Sequence, residues 1–263
     1  MATNLTSATP SIDAMISATQ ANGSYRRAYN SYLSSTSTAA NATSGRISAR
    51  RFPQAITIPS MGTGVAGVVM TTINMSNEDA STICLCALEK SLGTLTVSGN
   101  TFSSGSSMPT KTIMGTSVTT ASVATFAVVT TALTATTPVL TITYTDQDGN
   151  TGNTATLTLP TNPNLNTAFL INPHLASGDT GIRAVTNISI STGTAGVIEI
   201  FGCLPLAYDI NGSTQSCVTV NDLLQGMNAP ILCEANDVIS FYRLGSTGGV
   251  SFSALLIGAV ETT

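Results

Sequence analysis

The chain has no tryptophan and one histidine, and 8% of its 263 residues are charged, against about a quarter in typical soluble domains. Each scarcity removes a class of function. The lone His174, in Asn172-Pro-His-Leu, cannot assemble a histidine metal site or a Ser-His-Asp constellation, so it reads as a loop residue. Phosphate loops, nucleophile elbows and paired carboxylates are missing too. The Gly-rich stretches Met61-Gly-Thr-Gly-Val and Gly245-Ser-Thr-Gly-Gly are followed by no helical pattern and read as hairpin loops. Nothing brings acid, base and nucleophile together, so the expectation is a non-enzyme with no catalytic residue, cofactor or metal. After residue 53 the tyrosines are Tyr144, Tyr208 and Tyr242, which with no Trp is thin provision for stacking on sugars.

Long apolar runs are missing as well. Ala254–Val260 is too short to span a bilayer, so no membrane is expected. Met-Ala-Thr-Asn-Leu-Thr-Ser at the start has neither the basic nor the apolar region of a signal peptide. The five cysteines, Cys84, Cys86, Cys203, Cys217 and Cys233, then argue for a reducing cytosol and free, mostly buried thiols. Cys84 and Cys86 fall on one face of a strand, a spacing that suits neither a zinc knuckle nor a redox pair.

What charge there is lies unevenly. Residues 1–53 hold five arginines (Arg26, Arg27, Arg46, Arg50 and Arg51) against Asp13, about +4, and the rest of the chain is about −8. A basic arm on an acidic body is the charge plan of a protein that docks. Lys is absent from the arm, and five arginines are few for neutralising phosphates, so nucleic acid is not the expected partner. Tyr25, Tyr29, Tyr32 and Leu33 recur at helical spacing beside Arg26 and Arg27, and Tyr with Arg favours protein contacts. Short helices are therefore expected between Ser11 and Leu33, with a Ser/Thr/Ala/Asn linker over 34–45.

From Pro53 onward short apolar runs alternate with Gly, Asn, Pro and Ser clusters. Strands are expected at Ala55–Ile58, Val65–Met75, Ser81–Leu88, Thr94–Val97, Ser122–Thr131, Val139–Thr145, Thr154–Leu159 and Ala168–Ile171. Others follow at Arg183–Ser191, Val197–Leu204, Cys217–Val220, Val238–Arg243 and Val250–Val260, with one short helix at Asn221–Met227. Thr-rich outer faces suit such strands. The fold class is all-β, an antiparallel β-sandwich of jelly-roll type, with an arm over residues 1–52 and a body over 53–263. A surface this poor in charge resists association weakly. It is either covered in an assembly or kept soluble by hydroxyls.

The clearest unit is the hairpin from Leu140 to Leu159, apolar residues alternating with Thr on both sides of Asp148-Gly149. A one-residue slip would turn Leu140, Ile142 and Tyr144 outward, so its register is specified. Asp146, Asp148 and Asn150 offer alternating oxygens, but Gly149 stands at position four and Leu157 at position twelve of a calcium loop. A turn explains them without metal. Glu199, in Val197-Ile-Glu-Ile-Phe, either faces water or pairs with a basic partner across an interface. Asp179 and Arg183 flank Gly181, where Asp179 can brace the turn or pair with Arg183.

Two stretches resemble segments of tailed-bacteriophage virion proteins. One is Ile142-Thr-Tyr-Thr-Asp-Gln-Asp-Gly-Asn-Thr-Gly-Asn-Thr-Ala-Thr; the other is Ser177-Gly-Asp-Thr-Gly-Ile-Arg-Ala-Val-Thr-Asn-Ile-Ser-Ile-Ser-Thr-Gly-Thr-Ala-Gly-Val. Together they cover about a seventh of the chain. The resemblance implies a capsid decoration or cement protein, made in the host cytoplasm and carried in the virion. It further implies an oligomer, expected here as a trimer, bound to the major capsid protein or other virion proteins. The resemblance does not reach the arm; its charge and tyrosines make Tyr25, Arg26, Arg27, Tyr29, Tyr32, Arg46, Arg50 and Arg51 the expected contact, with Asp179, Arg183 and Glu199 at turns or subunit joints. On that reading, removing residues 1–50 leaves the body folded and abolishes capsid binding. Two alternatives stay open: a tail, baseplate or fibre component binding host glycan, and a jelly-roll coat protein whose arm faces the genome.

Overall fold

The computed structural model describes residues 16–19, 25–37, 49–58, 60, 65–77, 82–113, 116–211, 217–222, 232–244 and 250–262. Its first strands are β1 (Ile16–Thr19), β2 (Tyr25–Ser37), β3 (Ala49–Thr57), β4 (Val65–Asn77), β5 (Thr82–Thr96) and β6 (Thr101–Ser104). Next come β7 (Thr110–Ile113), β8 (Thr116–Thr119), β9 (Ala124–Thr134), β10 (Val139–Asp146), β11 (Asn153–Thr158) and β12 (Thr167–Leu170). The remainder are β13 (Ile182–Ile190), β14 (Ala195–Asn211), β15 (Cys217–Asp222), β16 (Leu232–Cys233), β17 (Val238–Leu244) and β18 (Val250–Thr262). Among the described residues the one helical element is a 3-10 turn at Asn172–His174, so the fold is all-β. Every pairing between these strands is antiparallel.

One sheet runs β14-β9-β12-β3-β17-β5, and β14 also pairs with β5, so six strands close on themselves while β6 hangs on β5. Closure gives the ring an inner and an outer face, and its sequence shows both. Along β5, Leu85 and Ala87 belong to a small cluster with Phe126, Val128, Phe201 and Tyr242 inside the ring. Cys86 and Leu88 belong to the main core on its outside. A strand apolar on both faces is what a doubly covered strand requires. The main core lies between the ring and the sheet β11-β10-β13, whose Leu140, Ile142 and Tyr144 are fully buried. The register expected for the Leu140–Leu159 hairpin is the one found, Leu140 opposite Leu157 and Ile142 opposite Ala155. A further sheet, β1-β2-β18-β4-β15 with β16 on β4, contributes Val68 and Cys233 to the same core.

The arm departs from its expectation. Tyr25–Ser37 is a strand paired along β18, not a helix and linker. Helical spacing of Tyr25, Tyr29 and Tyr32 was the signal, but β18 lies alongside and satisfies the backbone laterally, and Tyr and Thr are good strand formers. Residue 52, the expected boundary, falls inside β3, which runs from Ala49 into the ring. Asn221 and Asp222 end strand β15 rather than start a helix. The rest of that helix, the stretch from Ser11 to Met15 and the two Gly-rich loops at 61–64 and 245–249 lie outside the described residues. The strands expected at Ser81–Leu88 and Thr94–Val97 are one continuous β5.

Candidate functional site

The two stretches that carry the virion resemblance meet in space. β10 pairs with β13, Thr143 opposite Asn187 and Tyr144 opposite Val185 across a bulge. Beyond the strands, residues 175–181 fold back over the hairpin end. The Tyr144 hydroxyl donates to Asp179 Oδ2 at 2.6 Å and accepts the Ala176 N–H at 2.9 Å. Burial and the hydrogen bond to Asp179 push its pKa up to about 12. Gln147 Oε1 accepts the N–H groups of Thr180 at 2.9 Å and Gly181 at 3.4 Å. Gly181 is required: a Cβ there would stand 2.2 Å from the Ser122 carbonyl. Asn172 finishes the clamp, taking the Thr125 N–H on Oδ1 at 2.7 Å and donating from Nδ2 to the carbonyls of Val123 at 3.0 Å and Thr180 at 3.4 Å.

The hairpin turn is built around one carboxylate. Asp146 Oδ1 accepts the N–H groups of Asp148 at 2.8 Å and Asn150 at 2.9 Å, and Oδ2 accepts from the side chains of Asn150 at 2.9 Å and Asn153 at 3.2 Å. Desolvation acts to raise its pKa, but the donors from Asn150, Asp148 and Gly149 outweigh it and hold the value below the ordinary range. Both oxygens face N–H donors, the reverse of a cation site. Gly149 turns with φ +93, in the left-handed region. Among the described residues no group of three or more His, Cys, Asp or Glu is placed to hold a metal.

Inside the ring lies a second polar constellation. Arg51 on β3 grips Glu89 on β5 with both ends of its guanidinium, Nε to Oε2 at 2.8 Å and Nη2 to Oε1 at 2.7 Å. Its Nη2 also reaches Ser240 Oγ at 3.3 Å, and its Cζ sits 4.9 Å from the Phe201 ring centroid. The Tyr242 hydroxyl donates to Glu89 Oε2, and the Tyr242 ring stacks on Phe126 at 4.3 Å. Desolvation lowers the Arg51 pKa, but Glu89 more than reverses this and raises it. Burial, with neighbouring Cys203 and Glu89, raises Tyr242, which therefore stays a phenol. At the far side of the core, buried Lys111 donates to Glu234 Oε2 at 2.9 Å and to Asp237 Oδ2, tying the β7–β8 hairpin to the turn before β17. Cys86, Cys203 and Cys233 are buried cysteines whose pKa values burial raises.

The predicted site residues thus separate. Arg51, expected as an exposed anchor, is a core cation, because β3 carries it into the ring opposite Glu89. Arg50 pairs in register with Thr167 and Arg243, and Tyr25, Arg26, Arg27, Tyr29 and Tyr32 lie on β2. Arg46 lies outside the described residues. Asp179 does brace its turn, through Tyr144, and makes no ion pair with Arg183, whose Nε is buried without a hydrogen-bond partner. Glu199 accepts a hydrogen bond from Ser91 on β5 within the chain. Sequence reasoning passed over Glu89, Lys111, Gln147, Asn172 and Ser122. Glu89 alone left a signal: it shares the parity of Leu85 and Ala87 in a run apolar on both faces.

Fold and site together define an all-β antiparallel protein with a closed ring, a packed outer sheet and a braced loop-and-hairpin end. No family model and no curated protein matches the chain. One solved structure, "Structure of infectious bursal disease virus Gx strain", aligns over 97% of this chain and 76% of that chain at 11% identity, with a TM-score of 0.12. That likeness is too slight to bear on fold or function.

Proposed function

We propose that this chain is a non-enzymatic virion structural protein of the decoration or cement type, binding a phage capsid lattice. The observation that carries the reading is the braced unit of residues 142–156 and 175–183. There both virion-like stretches form one preorganised end, its polar groups committed to holding shape. Such rigidity lowers the ordering cost of docking. Scarce charge and Thr-rich exposed strand faces favour a surface that is covered on assembly. The glycan-binding alternative is less well served: Tyr144 and Tyr242 are fully buried and Tyr208 is exposed. A cryo-EM map of particles containing the chain tests the reading. Density for the body on the outer capsid face supports it. Density on a tail or fibre, or none in the particle, overturns it.

A further inference from the structure

A buried amine faces two carboxylates at the β7–β8 hairpin. Among the described residues these two strands pair only with each other. Two strands alone are marginal in water, so the hairpin depends on what fixes it to the body. The Lys111 side chain on β7 is 1% exposed, and its Nζ lies 2.5 Å from Asp237 Oδ2 and 2.9 Å from Glu234 Oε2. That contact sets Nζ on the order of 3 Å from the adjoining Asp237 Cγ, the separation of a near-attack pair. The acceptor turn is held in place. Asp237 Oδ2 also accepts the Glu234 N–H at 2.7 Å, and Asp237 N–H donates to the Glu234 carbonyl at 3.1 Å. Asn236 N–H donates to the Ile58 carbonyl at 2.7 Å, and Ile58 N–H donates to the Asp237 carbonyl at 2.8 Å. The Glu234 N–H therefore stands where an oxyanion on Oδ2 would form. The Glu234 side chain is 47% exposed, so its carboxylate can pass protons to water.

We propose that Lys111 and Asp237 condense into an intramolecular isopeptide bond, with Glu234 relaying the protons. Desolvation acts to lower the Lys111 pKa, but the hydrogen bonds to Asp237 and Glu234 outweigh it and raise the value, so the resting pair is ammonium and carboxylate. Proton transfer along the hydrogen bond gives amine and acid with no change of net charge, and burial of the pair favours that neutral form. Nζ then adds to Cγ, and the negative charge gathers on Oδ2 against the Glu234 N–H. The Cγ–Oδ1 bond breaks, and Oδ1 leaves as water with the two protons that the ammonium gives up. One ammonium and one carboxylate become one amide and one water, so no oxidant, reductant or co-reactant is needed. The bond joins positions 126 apart in sequence and ties the lone hairpin to the turn before β17. A link between such distant residues confines the unfolded chain as a disulfide does. The reaction runs once per chain on no outside substrate, so it does not depend on the capsid reading.

Mass spectrometry of the denatured full chain tests it. The expected mass is about 18 Da, one water, below that of its residues, and a proteolytic fragment joins Lys111 to Asp237. Lys111→Arg keeps the cation and shows the full mass. Asp237→Asn keeps the shape of the acceptor and loses ammonia, about 17 Da, in place of water, which reads the same bond should Lys111→Arg fail to fold. Glu234→Gln, at an exposed position, slows condensation about a hundredfold when mass is followed during cell-free synthesis. A wild type at full mass overturns the proposal and leaves an ordinary buried ion pair. So does a loss of water that persists in Lys111→Arg, or one that maps to a succinimide at Asp148-Gly149. A Glu234→Gln chain that condenses as fast as the wild type overturns the relay.

Discussion

Arg51 and Glu89 are where single residues matter most. The Glu89 side chain is 3% exposed and that of Arg51 16%, so neither charge can fall back on water when its partner goes. Breaking such a pair leaves an uncompensated buried ion, at a cost of about 3–5 kcal/mol. Glu89→Ala, which also strands the Tyr242 hydroxyl, is expected to lose stability in that range. The check is the urea midpoint at unchanged m-value. Arg51→Met combined with Glu89→Leu is expected to recover most of the loss, since an apolar pair of similar volume removes the desolvation cost. Asp146 gives the pH counterpart. Its folded pKa lies below the ordinary 3.8, so the stability it contributes is complete above that value and is lost as pH falls through the folded one. Wild-type unfolding free energy is expected to drop more steeply below about pH 4 than that of Asp146→Asn, whose side chain does not ionise. Parallel curves for the two would remove Asp146 from the account.

At the scale of elements, the arm strand changes what truncation does. Removing residues 1–50 takes away β2 and the first residues of β3, so β18 loses the neighbour it pairs with from Ala28 to Ser37 and the ring loses its β12–β3 register at Ala49 and Arg50. The truncated chain is expected to melt lower, and β18 amides facing β2 are expected to exchange rapidly by hydrogen–deuterium exchange. Unchanged protection along β18 would show that the body folds without the arm after all. The Leu140–Leu159 hairpin was legible because its information is local: alternation and an Asp-Gly turn fix strand, register and buried face within twenty positions. β2 was not, because its periodicity fits a helix and the partner that decides the matter, β18, lies at the other end of the chain. Arg51 and Glu89 failed for the same reason. Arg51 sits in a basic cluster that reads as a partner anchor, Glu89 was not singled out, and only ring closure brings the two into contact. For Asp179 the sequence offered a turn brace or an ion pair with Arg183, and the phenol that reaches it from β10 was not legible there.

The whole molecule has few charges to associate with, and the described ones are largely spent internally. Arg51 is paired with Glu89, Lys111 with Glu234 and Asp237, and the Asp146 carboxylate with its own turn. Where strand side chains are described, threonine holds many of the exposed positions, as along β11. Assembly through such a surface gains from shape and hydrogen bonding and releases few counterions, whereas a genome-facing arm would bind by phosphate neutralisation, its log affinity falling with log salt by about 0.7–0.9 per phosphate contact. Binding of the purified chain to empty capsids, measured by co-sedimentation between low and high sodium chloride, is therefore expected to change little. A steep loss with salt, together with tight binding of the chain to single-stranded or duplex nucleic acid at low salt, would move Arg26, Arg27 and Arg46 from protein docking to the genome. In that case the jelly-roll coat reading would replace the decoration one.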